Sequence, residues 1–197
     1  MKKQLSEMSL EELWMLFPII LEEHNKDYER WYTEEKDKIV KCIGIQNIRR
    51  INHIGSSSVK GLIAKPIIDI LLEVNEELDL QWLKDLLKSN GWTLMSASDE
   101  GKPHMKIFFN KGYTPKGFAD KVYHLHVRYL GDWNELYFRD YLIKHNDVAD
   151  EYGKLKLSLL PKYKNNRDGY TEAKTDFILK YSNLARKEFG DRYLISD

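Results

Sequence analysis

Cysteine is nearly missing from this chain: Cys42 is the only one in 197 residues. That excludes an intrachain disulfide and fits a reducing compartment. A net charge is missing too. The 31 Lys and Arg residues balance 31 Asp and Glu, which gives no global electrostatic argument for nucleic acid or an anionic membrane. Long apolar runs are absent. The longest near the N-terminus, "LWMLFPII", falls far below the ~20 residues of a membrane-spanning helix. The first residues, "MKKQLSEMSLEEL", are polar and acidic where a secretory signal needs an apolar stretch. There is no internal repeat, no low-complexity segment and no break in composition. The expectation is a soluble cytoplasmic protein with one domain over 1–197, long enough for a sizeable core. The oligomeric state has no signature in the sequence.

The charge that is present is unevenly placed. Residues 1–40 hold ten acids and six bases, and residues 41–197 hold 21 acids and 25 bases. The mild basic excess falls on the part that carries the motifs.

Patterning predicts N-terminal helices over 9–43, an α/β core over 45–130 and C-terminal helices over 132–190. Ser9 and Glu12 form a capping box, and Pro18 ends the first helix. Tyr28, Trp31, Tyr32, Glu35, Ile39 and Ile43 recur at helical spacing until Gly44. "RRINHIG" and "PIIDILLEV" read as strands, the second dense in β-branched residues. "DLQWLKDLLKSNG" is amphipathic, with Leu80, Leu83, Leu86 and Leu87 inward. "HMKIFFNKG" and "KVYHLHVRY" alternate as strands of a hairpin joined by "YTPKGFAD". Three helices follow, the last opened by "YTEAK" with Thr171 as its N-cap. The fold class is α+β, a small mixed sheet covered by helices.

The stretch "HIGSSSVKGLIAKPIIDILLEV" carries the first chemistry. A strand running into Gly55, Ser56, Ser57 and Ser58 makes a phosphate cradle, since glycine admits close approach and the turn offers donors. No Walker A loop and no G-x-G-x-x-G occurs. Asp69 sits in "IIDILL", where an unpaired carboxylate costs several kcal/mol or shifts its pKa; a metal ion or a lysine answers that. Asp69, Leu71 and Glu73 share a strand face, with Glu73 about 13 Å from Asp69 and expected at the solvent end. In "YHLHV", His124 and His126 stand two apart and point the same way, a chelating arrangement if a third ligand faces them. Lys65 is placed to reach a phosphate or to neutralise Asp69. "KLKLSLLPKYKNNR" supplies Lys154, Lys156, Lys162, Lys164 and Arg167, a solvated helix face or a phosphate rim. Lys174 is the better ligand candidate in "YTEAK".

These motifs, with "HLHV", "FRDYL" and "YTEAKTDFI" in that order, resemble the GrpB family from about Leu21 to Leu184. The N-terminal "MSLEELWMLFPIILEEH" is similar to bacterial members. The resemblance implies the nucleotidyltransferase superfamily, with the fold of the polymerase-β palm. In that pattern a Gly-Ser turn holds nucleotide phosphates, and carboxylates on a following strand bind two Mg²⁺ ions. Twelve residues separate Ser56 from Asp69, which fits. The second carboxylate position is Leu71, and the third falls on the strand of His124 and His126. One Asp and two His suit Zn²⁺, Mn²⁺ or Fe²⁺ better than Mg²⁺. The implied site is Asp69, His124 and His126 as catalytic and metal-binding residues, with Gly55, Ser56, Ser57, Ser58, Lys65 and Lys174 around the phosphate. The implied ligand is a nucleotide or phosphometabolite, and the implied reaction is nucleotidyl transfer with a divalent metal. Family members fused to dephospho-coenzyme A kinases point alternatively to a degenerate nucleotide or coenzyme A-related binding module, or to a folding helper for a partner enzyme.

Overall fold

The computed structural model describes residues 3–98 and 104–194. Helix α1 (Leu10–Leu16) starts on the expected Ser9–Glu12 capping box and stops two residues before Pro18. Helix α2 (Tyr28–Ile43) ends at Gly44, whose φ of +86° suits glycine. Five strands follow: β1 (Ile48–Ile54), β2 (Ile67–Val74), β3 (Thr93–Ser98), β4 (Lys106–Thr114) and β5 (Gly117–Tyr129), with α3 (Leu80–Ser89) between β2 and β3. They form a mixed sheet in the order β1-β2-β5-β4-β3. The central β2 and β5 are parallel, and their neighbours are antiparallel. The fold is α+β, as the residue pattern predicts.

The two faces of the sheet do different things. Ile68, Ile70 and Leu72 of β2, Leu125 and Val127 of β5, and Ile107 and Phe109 of β4 point to one face. There they pack against Tyr28, Tyr32 and Ile39 of α2 and Leu83 and Leu87 of α3, the main core. The residues between them point to the other face. That face meets the C-terminal helices α4 (Asn134–Lys144), α5 (Asn146–Tyr163), α6 (Arg167–Glu172) and α7 (Thr175–Phe189); α4, α5 and α7 share a second core around Tyr137, Tyr141 and Tyr152.

Four expectations change. Strand β3 is unanticipated. It is a sheet edge, mostly exposed, so its sequence has no buried face to announce. The hairpin loop is shorter than "YTPKGFAD". The strands run on to pair Thr114 with Gly117 across Pro115 and Lys116, and Thr114 Oγ1 accepts from the Lys116 amide. Thr171 caps nothing: it lies inside α6, whose cap is Asn166, accepting from the Gly169 amide at 2.9 Å. Helix α7 starts separately at Thr175. Glu73 is not at a solvent end. It is fully buried, paired across β1–β2 with Arg50 through both carboxylate oxygens. Glu73 Oε1 also accepts from the Gly131 amide at 3.0 Å, and Arg50 Nη2 donates to the Gly131 carbonyl at 2.6 Å. This clamp ties the end of β5 to β1 and β2.

Candidate functional site

In the parallel register Asp69 stands beside His124 and Leu71 beside His126. Paired residues of adjacent strands lie about 4.8 Å apart on one face. The structure therefore brings Asp69, His124 and His126 together, on the face under the C-terminal helices. The His124 Nδ1–H donates to Asp69 Oδ1 at 2.9 Å, and His126 Nε2 lies 3.7 Å from the same oxygen. Phe108 packs against both imidazoles, with ring centroids at 5.2 and 4.9 Å.

Two residues that the sequence did not single out for this site fix the state of His124. Arg167 donates from Nη2 to His124 Nε2 at 3.1 Å and from Nη1 to the Tyr113 hydroxyl at 3.2 Å. Tyr113 in turn donates to the same Nε2 at 2.9 Å. A guanidinium has no acceptor, so Nε2 carries the lone pair and Nδ1 the proton. Burial pushes His124 down to about 4, against the pull of the Asp69 carboxylate; the ring is neutral at neutral pH. Burial works against ionisation of Asp69, but hydrogen bonding from His124 and contact with His126 hold it well below the usual carboxylate range.

Gly55 has φ +71°, and a Cβ there would stand 2.6 Å from Asp69 Oδ2. The glycine thus serves both the turn and the close approach of the backbone to the carboxylate. Gly55→Ala is expected to lower unfolding free energy by about 2 kcal/mol from the left-handed backbone alone. It should also displace Asp69. Urea denaturation checks the first effect, and a loss under about 0.5 kcal/mol would show that the turn relaxes freely.

The three serines part company. Ser56 Oγ accepts from Lys156 Nζ at 2.9 Å. Ser57 is buried and bonded to His53 Nε2 at 3.1 Å, and Ser58 donates to the Gly55 carbonyl at 2.6 Å. Only Ser56 faces the cations; the other two hydroxyls hold the turn in shape. His53 points to the opposite face, stacked on Tyr32, and burial pushes it down to about 4. The "FRDYL" motif is an anchor for this turn. Arg139 donates to the His53 carbonyl at 3.0 Å and to Asn52 Oδ1 at 3.1 Å.

The basic run splits likewise. Lys154, Lys162 and Lys164 are exposed, while Lys156 is buried against the turn. Gly153 explains why: one turn earlier on the same helix face, it lets α5 settle onto Leu62 and Ile63. Lys156 then donates to the Ile63 carbonyl as well as to Ser56 and lies over the Tyr152 ring at 4.7 Å. Burial pushes Lys156 down to about 7, with Lys174 and Lys65 adding repulsion. Lys65 is also pushed down to about 7, by burial and then by Arg167 and Lys174, against the pull of Asp69. Lys174, over the Tyr170 ring at 4.5 Å, is pushed to about 8 by burial; Asp69 opposes this and Arg167 adds to it. Three lysines and an arginine thus gather, and Asp69 is the carboxylate that draws Lys65 and Lys174.

Leu71, at the second carboxylate position of the resembled pattern, is fully buried with Ile54 and Leu136. That position of the resembled pattern is thus filled by apolar packing.

The chain belongs to the GrpB family: the family profile described as "GrpB protein" matches residues 18–183. It is 37% identical over 167 residues to the "Glutamate-rich protein GrpB" of Alkalihalophilus pseudofirmus, covering 81% of this chain and 91% of that protein. It is 30% identical to the "UPF0157 protein YqkA" of Bacillus subtilis, covering 83% of this chain but 46% of the relative. The crystal structure of the conserved protein GrpB from Enterococcus faecalis superposes with a TM-score of 0.73 at 27% identity, covering 86% of this chain and 99% of that one. No helix among the described residues is long and apolar enough to cross a membrane.

Proposed function

We propose that this protein binds a phosphate-bearing small molecule, a nucleotide or phosphometabolite, over the Gly55–Ser56 turn, and acts on it with one divalent cation held by Asp69, His124 and His126. The observation that carries this reading is the gathering of Lys65, Lys156, Lys174 and Arg167 beside Asp69 and the turn, with Lys156 on Ser56 itself and one carboxylate to balance them. Burying like charges together is costly unless an anion joins them. Lys156 and Ser56 offer the charge-assisted and hydroxyl donors that a phosphate oxygen takes.

The donor set fits a cation once His124 changes tautomer: Nδ1 gives up the proton it shares with Asp69 and becomes the ligand atom, and Nε2 takes a proton that the Tyr113 oxygen accepts. One ligand atom from each of Asp69, His124 and His126 lies within 4.8 Å of the others, and a carboxylate with two imidazoles suits Zn²⁺ or Mn²⁺ better than Mg²⁺. Such an ion supplies charge neutralisation at phosphate and activation of a bound water. Arg167 and Tyr113 orient His124, and Phe108 packs against both imidazoles. Because Leu71 fills the second carboxylate position, a binding module that has lost two-metal transfer is the second reading. The two share the anion site and differ in turnover.

Metal content separates cation binding from a purely structural Asp–His pair. After exposure to Zn²⁺ or Mn²⁺ and desalting, the parent should retain about one ion per chain. Asp69→Asn and His126→Ala should each retain at least about tenfold less while keeping the fold. Equal content in all three, or none in any, would remove the metal from the proposal and leave the anion site. Calorimetry with ATP, with and without Mn²⁺, tests the anion site itself; no heat in either condition would sink it.

A further inference from the structure

We infer that the cavity between the 18–25 segment and the opening residues of β2 and β5 seats the base of the bound nucleotide, with preference for a base carrying an amino group. This rests on the phosphate reading above and names the ligand that it leaves open. The cavity measures about 270 Å³, slightly under the range of ~300–1,000 Å³ for drug-sized ligands, so it suits one ring system.

Its walls are flat and apolar: Trp31, Phe118 and Pro66 line it. Aromatic faces of this kind stack on a base. Its polar lining is mainly acceptor. Glu22 and Asp120 bring carboxylates, which take hydrogen bonds from an exocyclic amino group and repel none of its protons. Asn25 adds an amide donor for a ring nitrogen, since its Oδ1 already accepts from the Asp27 backbone. An acyl chain has no use for these groups, and a uracil edge, with two carbonyls flanking its one N–H, sets more acceptors than donors against the carboxylates.

The cavity is continuous with the site in two ways. Lys65 lines it and feels the charges of Asp69, Lys174 and Arg167. Its floor includes the Ile67–Val122 pair, two residues before the Asp69–His124 pair in the same parallel register. That offset is about 7 Å along the strands, a span that one sugar covers. The aromatic chain Phe118–Tyr113–His124, with centroids 5.2 and 6.0 Å apart, runs from cavity wall to site.

The test compares ATP, UTP and inorganic tripolyphosphate by calorimetry on the full chain, with no divalent cation added. ATP is expected to bind at least tenfold tighter than tripolyphosphate, and UTP close to tripolyphosphate. Trp31→Ala should erase the ATP advantage and leave tripolyphosphate unchanged. Ile20→Trp, at an exposed position of the cavity mouth, should do the same without touching the core, and it decides the matter if Trp31→Ala does not fold. Equal affinity for ATP and tripolyphosphate overturns the base pocket and leaves the phosphate reading standing. An ATP advantage that survives both variants also overturns it, and UTP matching ATP overturns the amino-group preference. No binding of any probe overturns the pocket, and no binding after Mn²⁺ is added as well overturns the phosphate reading with it.

Discussion

Glu73→Ala is expected to lower unfolding free energy by about 3–5 kcal/mol, the usual result of removing one partner of a buried ion pair. That is a large share of the roughly 5–15 kcal/mol that holds a domain together. Two groups lose their partner at once. Arg50, only partly buried, keeps the Gly131 carbonyl and the face of the Tyr193 ring but no counter-charge, and the Gly131 amide loses its acceptor. Glu73 is fully buried, so water reaches the vacated space only past the Arg50 side chain, which is 23% exposed. The pair itself is not the source of the stability. Replacing both residues with apolar ones of similar size, as in Arg50→Met with Glu73→Leu, should recover most of the loss, because the isolated charge is what costs. Urea denaturation followed by circular dichroism measures both variants. A loss under about 1 kcal/mol for Glu73→Ala would mean that Arg50 finds water, and that the clamp is incidental to the fold.

Glu73 also shows where sequence reading stops. The strand face it shares with Asp69 and Leu71 follows from the two-residue period and holds in the structure. Its partner does not follow, because Arg50 reaches it only through the register of β1 on β2. The same division runs through the site. Asp69 and the two histidines were legible because each strand's parity places them on one face, and a parallel pairing of the two strands then suffices. Tyr113 and Arg167 were not legible as part of it. One comes from a strand next to a glycine bulge, where Gly112 at φ +90° lies against the Lys121 carbonyl. The other comes from the first turn of a short helix 43 residues beyond His124. In the basic run, composition could not separate Lys156 from its neighbours. What separates them is the small Gly153 that brings α5 onto the turn. The edge strand β3 was missed because an exposed edge has no buried period, and the start of α7 because Lys174 carries no capping chemistry.

Phosphate binding at this site is expected to take up protons, about one to two per ligand at pH 8, and to weaken as pH rises from 7 towards 10. In the free protein Lys65 and Lys156 titrate near 7 and Lys174 near 8, each far below the usual 10.5. At pH 8 the first two are therefore mostly neutral and the third is about half charged. An anion among them favours the ammonium form and raises all three, so protons enter with the ligand. The lowered Asp69 and the neutral His124 do not change state in this range. The free fold carries the opposite linkage. Between about 7 and 10.5 the unfolded chain binds protons that the folded chain has released, so these lysines make the unliganded fold more stable as pH rises through that window. Lys156→Met should weaken phosphate binding by about 30-fold, in keeping with the roughly 1.5–3 kcal/mol of a hydrogen bond to a charged group. Its fold should survive, because the repulsion it relieves from Lys65 and Lys174 offsets the lost bonds to Ser56 and Ile63. Calorimetry with tripolyphosphate in two buffers of different ionisation enthalpy measures the proton count directly. Proton release, or none, at pH 8 would show that the three lysines are not the groups that meet the phosphate. An unchanged affinity in Lys156→Met would remove the buried end of α5 from the site.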